Sequence, residues 1–228
     1  MESKKIALIA GSNEKSIGRL IAEKLQNEGY SIWIYGRNAK KKDNNNWHER
    51  ACDLTDNICL DRLFIEIKDI PDIIIFSADS GTGHGNLEDL QNEDVNKFIG
   101  SKIIGSLNLV KKVITNKPKK KIVAIWLAGK SSNKPKNLIL FSLINSALNS
   151  LVAELNIYYK NIIRAYYLET PLISPSTLGD EYILKYGINL GLARKPEIIS
   201  EKVIKIINEK TQPGIISLTG SNEIKGRM

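Results

Sequence analysis

A chain of 228 residues, 42% apolar and 25% charged, is long enough to bury one sizeable core. It is too ordinary in composition for a collagenous, disordered or disulfide-built protein. The net charge of +8 comes mostly from lysine, in runs such as Lys40-Lys41-Lys42 and Lys119-Lys120-Lys121; these either attract an anion or simply solvate the surface, and with no interleaved aromatics and no recognisable module, nucleic acid is not an expected partner.

Ile6 to Ala10 is a short continuous apolar run, as expected for a parallel strand buried on both faces. Gly11 to Gly18 follows, and Ile17, Leu20, Ile21 and Leu25 mark one face of a helix. A strand, a glycine-containing turn and a helix form the opening unit of a nucleotide-binding α/β fold. The helix N-terminus offers unpaired N–H groups to phosphate, and glycine lets the backbone come close. Ser31 to Tyr35 reads as the second strand, ending at Gly36-Arg37-Asn38. An acidic residue there would hold the 2′-hydroxyl of NAD, whereas Arg37 suits a 2′-phosphate, so NADP(H) is favoured over NAD(H).

Asp43 to Asn46 reads as a polar loop and Glu49 to Leu54 as a short third strand. A helix is expected over Asp56 to Ile67, with Leu60, Leu63, Phe64 and Ile67 on one face, then a buried strand over Asp72 to Phe76. Ser77 to Gly85 is a loop, and Leu87 to about Thr115 is helical, in one piece or two. Strand Ile122 to Leu127, loop Ala128 to Asn137, helix Leu138 to Tyr159 and strand Ile162 to Leu168 follow. Residues 169–195, with Pro171 and Pro175, read as an irregular segment able to fold over a ligand as a lid. Pro196 opens a helix to about Lys210, and Ile215 to Leu218 is a last strand. The alternation predicts one α/β domain over residues 1–228: a Rossmann-type, doubly wound, mostly parallel sheet of about seven strands with helices on both faces. The pair Cys52 and Cys59 lacks metal-ligand or redox spacing, so a reduced cytoplasmic protein without a metal site is expected. Ile6 to Ala10 is too short for a signal peptide, and no apolar stretch approaches a membrane span, so no membrane partner is expected.

These residues resemble the short-chain dehydrogenase/reductase family over nearly the whole chain. Gly11, Ser12, Ser16, Ile17 and Gly18 are similar to its Thr-Gly-x-x-x-Gly-x-Gly turn, with Ala10 for Thr, Ser16 near the middle Gly and one extra residue. Asp53-Leu54 is similar to the pair that contacts the adenine. Ala78 and Asp79 stand in the Asn-Asn-Ala-Gly position, where Asp79 replaces a glycine that allows close approach of the cofactor. The resemblance implies NADP(H), held more weakly than usual, with NAD(H) or no cofactor as alternatives. It also implies a homodimer or homotetramer paired through the two long helices.

The catalytic comparison goes the other way. The family uses Asn, Ser, Tyr and Lys, and those positions fall here on Lys102, Ala128, Phe141 and Asn145. A positioned general acid contributes ~10²–10⁴-fold, and an apolar ring cannot replace it. The polar residues expected to converge at the C-terminal ends of the strands are Asp79, Ser80, His84, Lys130, Ser131, Glu169 and Thr170, with Lys102 and Asn145 approaching from the helices. Lys102 is a candidate base or Schiff-base nucleophile, or else an ion-pair partner of Asp79 or Glu169, or a surface lysine. His84 is a proton carrier or an exposed loop residue. Glu169 is a base or a helix-start acid. Three readings follow for a small-molecule substrate: an atypical oxidoreductase on a biosynthetic intermediate, a non-redox cyclase, dehydratase or isomerase, and a non-catalytic nucleotide sensor or scaffold, that is, a pseudoenzyme.

Overall fold

Every position of Ile6–Ala10 is buried, so this strand, β1, has helices on both sides and can only be central. The computed structural model describes residues 4–11, 15–78, 86–129, 139–186, 193–218 and 224–227. Helix α1 (Ile17–Asn27) begins at Ser16, whose Oγ accepts from the Arg19 N–H at 3.2 Å. Strand β2 (Ser31–Gly36) runs parallel to β1.

The expected loop at Asp43 is instead part of a hairpin. Lys42–Asn44 forms β3, Asn45 turns the chain with φ of 47°, and Trp47–Ala51 forms β4. The third strand therefore starts earlier and ends earlier than expected, and Asp53-Leu54 lies in the turn beyond it. Asp56 caps α2 (Asn57–Ile67) by accepting from the Ile58 N–H at 2.8 Å. Strand β5 (Ile73–Phe76) follows. The long helical region is α3 (Asn92–Ile99), a π-helical turn (Gly100–Ile104) and α4 (Gly105–Thr115), after a short 3₁₀ turn at Leu87–Asp89. Strand β6 is Ile122–Gly129, α5 is Ile139–Tyr158 and β7 is Ile163–Thr170. The segment read as irregular contains α6 (Thr177–Tyr186). Helix α7 (Pro196–Asn208) has proline in its first turn as expected, β8 is Gly214–Leu218, and β9 (Ile224–Arg227) is an unexpected final strand.

The sheet order is β3-β4-β2-β1-β5-β6-β7-β8-β9. The inner seven strands are parallel, and β3 and β9 close the two edges antiparallel. The order reverses direction between β1 and β5, which makes a crevice at their C-terminal ends. Alternate strand residues feed two apolar layers. Leu8, Trp33, Ile74 and Trp126 meet α2, α4 and α5 on one side; Ile9, Ile34, Ile75 and Ile125 meet α1 and α7 on the other. On the first side Phe76 and Trp126 stack at 4.4 Å and 8°, and the Trp126 Nε1–H donates to Ser106 Oγ at 3.0 Å. The buried indole is thus both packed and satisfied.

One expectation from the sequence is corrected here. Helix α5, at 20 residues and a mean hydropathy of 1.2, is long and apolar enough to cross a membrane. Its Leu140, Ile144, Leu148, Val152 and Leu155 are buried in the core. The Asn156 side chain also bonds both the N–H and the carbonyl of Ala165 at 2.9 Å. In this fold one face of it packs into the core, with a third of its apolar window buried.

Candidate cofactor and substrate cleft

The turn after β1 is built by close approach. Gly11 has φ of +112°, and its N–H donates to the Tyr35 carbonyl at 2.9 Å. Ser77, at the end of β5, donates its hydroxyl to the Ala10 carbonyl. That hydroxyl fills the space where Gly18 would carry a Cβ, which would also stand 3.1 Å from the Ala10 oxygen. Glycine at 11 and 18 therefore answers to Ser77 as much as to any ligand. Ser16 caps the N-terminus of α1 beside these glycines, and the unpaired N–H groups of such a helix end suit the phosphates of a dinucleotide. Ser12 lies outside the described residues.

Arg37 is exposed just past β2. Lys97 of α3 pairs with Glu93 at 2.7 Å, which raises its pKa, while the positive charge of Arg37 acts in the opposite sense. Asp53 is half-buried and spends Oδ1 on the Thr55 N–H (2.9 Å) and hydroxyl (2.8 Å), so its carboxylate also builds its own turn. Leu54 is buried. Its carbonyl accepts from Asn108 Nδ2 at 3.0 Å, and a Cβ at Gly105 would come 2.8 Å from its own Cβ.

Over the C-terminal ends of β1, β5 and β6 lies a cavity of about 20 Å³, bordered by Ala10, Leu54, Phe76, Ala78 and Lys102 among others. That is room for one water. It unites three of the residues expected from sequence: Leu54, Ala78 and Lys102. Lys102 is half-buried and sits in the π-helical turn, a feature common at functional sites.

The remaining expected positions are explained structurally. The Phe141 ring is stacked on Phe98 at 6.0 Å and 15° and covers Gly129, where a Cβ would lie 3.0 Å from it. Asn145 is 6% exposed and donates its Nδ2–H to the Gly129 carbonyl at 3.0 Å. It ties α5 to the end of β6. Ala128 is buried on β6, not in a loop, and its carbonyl accepts from the Thr170 hydroxyl at 3.2 Å. Glu169 is half-buried on β7 in register with Ala128, so it is a strand residue and not a helix-start acid. It shares the face of Tyr167, whose pKa is raised by burial and secondarily by the charge of Glu169. Asp79, Ser80, His84, Lys130 and Ser131 lie outside the described residues. Among the described residues no cluster of His, Cys, Asp or Glu could hold a metal ion.

The segment beyond β7 leaves and returns at one place. The Ser174 N–H donates to the Arg194 carbonyl at 3.0 Å, and the Arg194 N–H to the Leu172 carbonyl at 2.8 Å. Helix α6 is thus an excursion pinned at its base. The contacts of Ser77, Gly105 and Asn108 escaped the sequence reading, because each is made with a partner far away in the chain. The glycines 100 and 105 flanking Lys102 were the one visible sign of a close helix approach.

No protein-family model matches the chain's sequence, and no curated protein does. Solved structures are similar in fold. A short chain dehydrogenase family protein from Francisella tularensis subsp. tularensis SCHU S4 superposes with a TM-score of 0.79 at 19% identity, over 96% of this chain and 98% of that one. A 3-ketoacyl-(acyl-carrier-protein) reductase from Brucella melitensis, complexed with NADH, gives 0.78 at 17% identity, covering 95% and 97%. A short chain dehydrogenase from Leptospira borgpetersenii serovar Hardjo-bovis with bound NAD+ gives 0.76 at 17%, covering 96% and 92%. At such identities the likeness concerns the backbone. The chain has the fold of the short-chain dehydrogenases.

Proposed function

We propose that this protein is an oxidoreductase of the short-chain dehydrogenase type that binds NADP(H) and handles protons without a catalytic tyrosine. The observation that carries the reading is the position of Lys102, the one ionisable side chain among the described residues bordering the cavity at the switch point. Gly11, Gly18 and the α1 N-terminus would hold the pyrophosphate, Asp53, Leu54 and Ala78 the adenosine end, and the exposed Arg37 the 2′-phosphate. Bound there, a nicotinamide supplies or accepts a hydride. Lys102 then gives a proton to, or takes one from, a carbonyl oxygen lodged in the crevice, and Glu169 at the end of β7 orients the substrate. Helix α6 closes over a small biosynthetic intermediate, and Phe141 presents its ring in place of a hydroxyl. Solved structures of this fold with bound NADH or NAD+ support a dinucleotide in the crevice. A second copy pairs across α4 and α5, where Leu107, Ile139 and Leu143 are exposed.

The test is a titration with NADPH and NADH followed by intrinsic fluorescence and thermal shift. Tighter binding of NADPH, with the preference lost in Arg37→Ala, is the expected result; no response to millimolar NADPH sinks the cofactor assignment. With a panel of carbonyl and enone substrates, Lys102→Ala should abolish turnover and keep NADPH binding. A second reading, a non-redox enzyme, is favoured by Asn145, whose amide is occupied by the Gly129 carbonyl instead of reaching for a ribose. It requires activity without nicotinamide that is lost in Lys102→Ala or Glu169→Ala.

A further inference from the structure

The spacing of the two cysteines along the chain shows no redox pattern, yet the fold brings them together at one turn. Cys52 lies just past β4 and is 4% exposed, while Cys59 is in α2 and only partly buried. Between them the chain reverses through a turn held by Asp53, which accepts twice from Thr55, and by Asp56, which caps α2. The reversal puts the Cys59 thiol 3.6 Å from the Ala51 carbonyl, beside the residue that precedes Cys52. The Cys52 thiol points along the same turn, 3.9 Å from the Asp53 carbonyl. Both belong to one apolar cluster, with Cys52 buried in it and Cys59 packed against it.

This turn is also wedged against the helix that carries Lys102. Leu54 fills the space beside Gly105, the Thr55 methyl stands 3.4 Å from where a Cβ on Gly100 would be, and Asn108 bonds the Leu54 carbonyl. Leu54 and Lys102 in turn border the same cavity. The turn has little room to shift without moving its neighbours.

We propose that Cys52 and Cys59 are a reversible redox pair whose disulfide tightens the turn between β4 and α2 and thereby lowers the affinity of the crevice for the dinucleotide. The second half rests on the function proposed above. The oxidant is a peroxide. The more exposed Cys59 thiolate attacks it, the O–O bond breaks, and a sulfenic acid and an alcohol or water result. The Cys52 sulfur then attacks the sulfenic sulfur, an S–S bond forms, the S–O bond breaks, and water leaves with the proton of Cys52. Two thiols have lost two protons and two electrons, and the peroxide has accepted both. Burial, with the neighbouring Cys59 second, pushes the Cys52 thiol up; the more exposed Cys59 therefore takes the first step, and the second, which needs the Cys52 thiolate, is the slower one and speeds up as pH rises. A bonded pair sits at ~2.0 Å between sulfurs, well inside thiol contact, so closure draws α2 towards β4. Leu54 and Thr55 then press on the π-helical turn. A dithiol reverses the link by exchange.

The experiment treats the full chain with hydrogen peroxide and compares wild type with Cys59→Ser. Free-thiol counts and peptide mass mapping read the link, and NADPH titration reads the affinity before oxidation, after it and after re-reduction. Expected are an intramolecular 52–59 peptide pair in wild type alone, a linking rate that rises with pH, and NADPH binding weakened by about fivefold or more and restored by dithiothreitol. Over-oxidised or intermolecularly linked thiols overturn the pair, and a linked protein with unchanged NADPH affinity overturns the coupling. Protein that links but binds NADPH in neither state overturns the cofactor assignment and the coupling with it. In that case slowed hydrogen exchange of amides 53–56 on linking upholds the tightened turn, and unchanged exchange overturns that as well.

Discussion

Asn145 occupies the position where the family resemblance puts a lysine, and the structure gives it a different task. Its amide donates to the Gly129 carbonyl at 3.0 Å while the side chain is 6% exposed. Asn145→Ala removes a donor whose net worth is ~1 kcal/mol and leaves an acceptor in a largely dry place, a further cost that brings the total to about 1–3 kcal/mol. For a chain of this length each kcal/mol lowers the thermal midpoint by roughly 2–4 °C, so a fall of about 4–8 °C is expected for a middle value. Asn145→Asp is nearly isosteric but sets a carboxylate oxygen against a carbonyl. It should be worse than alanine at neutral pH and recover as pH falls, because the protonated acid regains a donor. The folded-state pKa of that aspartate is raised, so its penalty is present above that pKa and relieved below it. Urea unfolding followed by the fluorescence of the three tryptophans measures both. An Asn145→Ala protein within ~0.5 kcal/mol of wild type would refute the structural role and return the position to the cofactor.

Three further outcomes follow from contacts described above. Gly18→Ala drives a methyl into the Ser77 hydroxyl and should cost about 1–3 kcal/mol. Adding Ser77→Gly should recover part of that loss, and strict additivity in the double-mutant cycle would count against the contact. Tyr35 is 2% exposed with a buried hydroxyl that has no partner among the described residues. Tyr35→Phe should therefore raise stability by about 1 kcal/mol, and a drop in the urea midpoint would reveal a hidden partner. Under reducing conditions stability should decline as pH rises past ~8.5. The unfolded Cys52 thiol loses its proton there while burial keeps the folded one protonated, so the native state binds more protons and loses ground. Cys52→Ala should flatten the slope of the urea midpoint against alkaline pH, and an unchanged slope would exclude this thiol as its source.

The central strands were legible because Ile6–Ala10, Ile73–Phe76 and Ile122–Gly129 are continuous apolar runs that only a doubly covered sheet can bury. The edges were not. Lys42–Asn44 is exposed at every position, so nothing in its composition separates an edge strand from a loop. Helix α6 was hidden by the prolines before it, and β9 by its shortness. Near the crevice, the need for glycine at position 11 could be read because backbone freedom is a property of a single residue. The Ser77–Gly18 contact, the Asn145–Gly129 bond and the meeting of the two cysteines at one turn were not readable, since each exists only once separate segments have been placed. The π-helical turn had no signal either: Gly-Ser-Lys-Ile-Ile is as good a helix sequence as its flanks.

That turn also makes the length of its segment non-negotiable. Each residue added to or taken from an α-helix rotates everything after it by about 100°. Helix α3 must bury Phe98, and α4 must present Leu109, Val110 and Val113 to the sheet. The wide turn at Gly100–Ile104 takes up the difference in phase between these two faces. Deleting one residue there would regularise the helix and, by the same stroke, turn either the sheet-facing side of α4 or the side chain at 102 away from its place. The register of this one rod is a shared constraint on folding and on the crevice, so a deletion that looks conservative should damage both together.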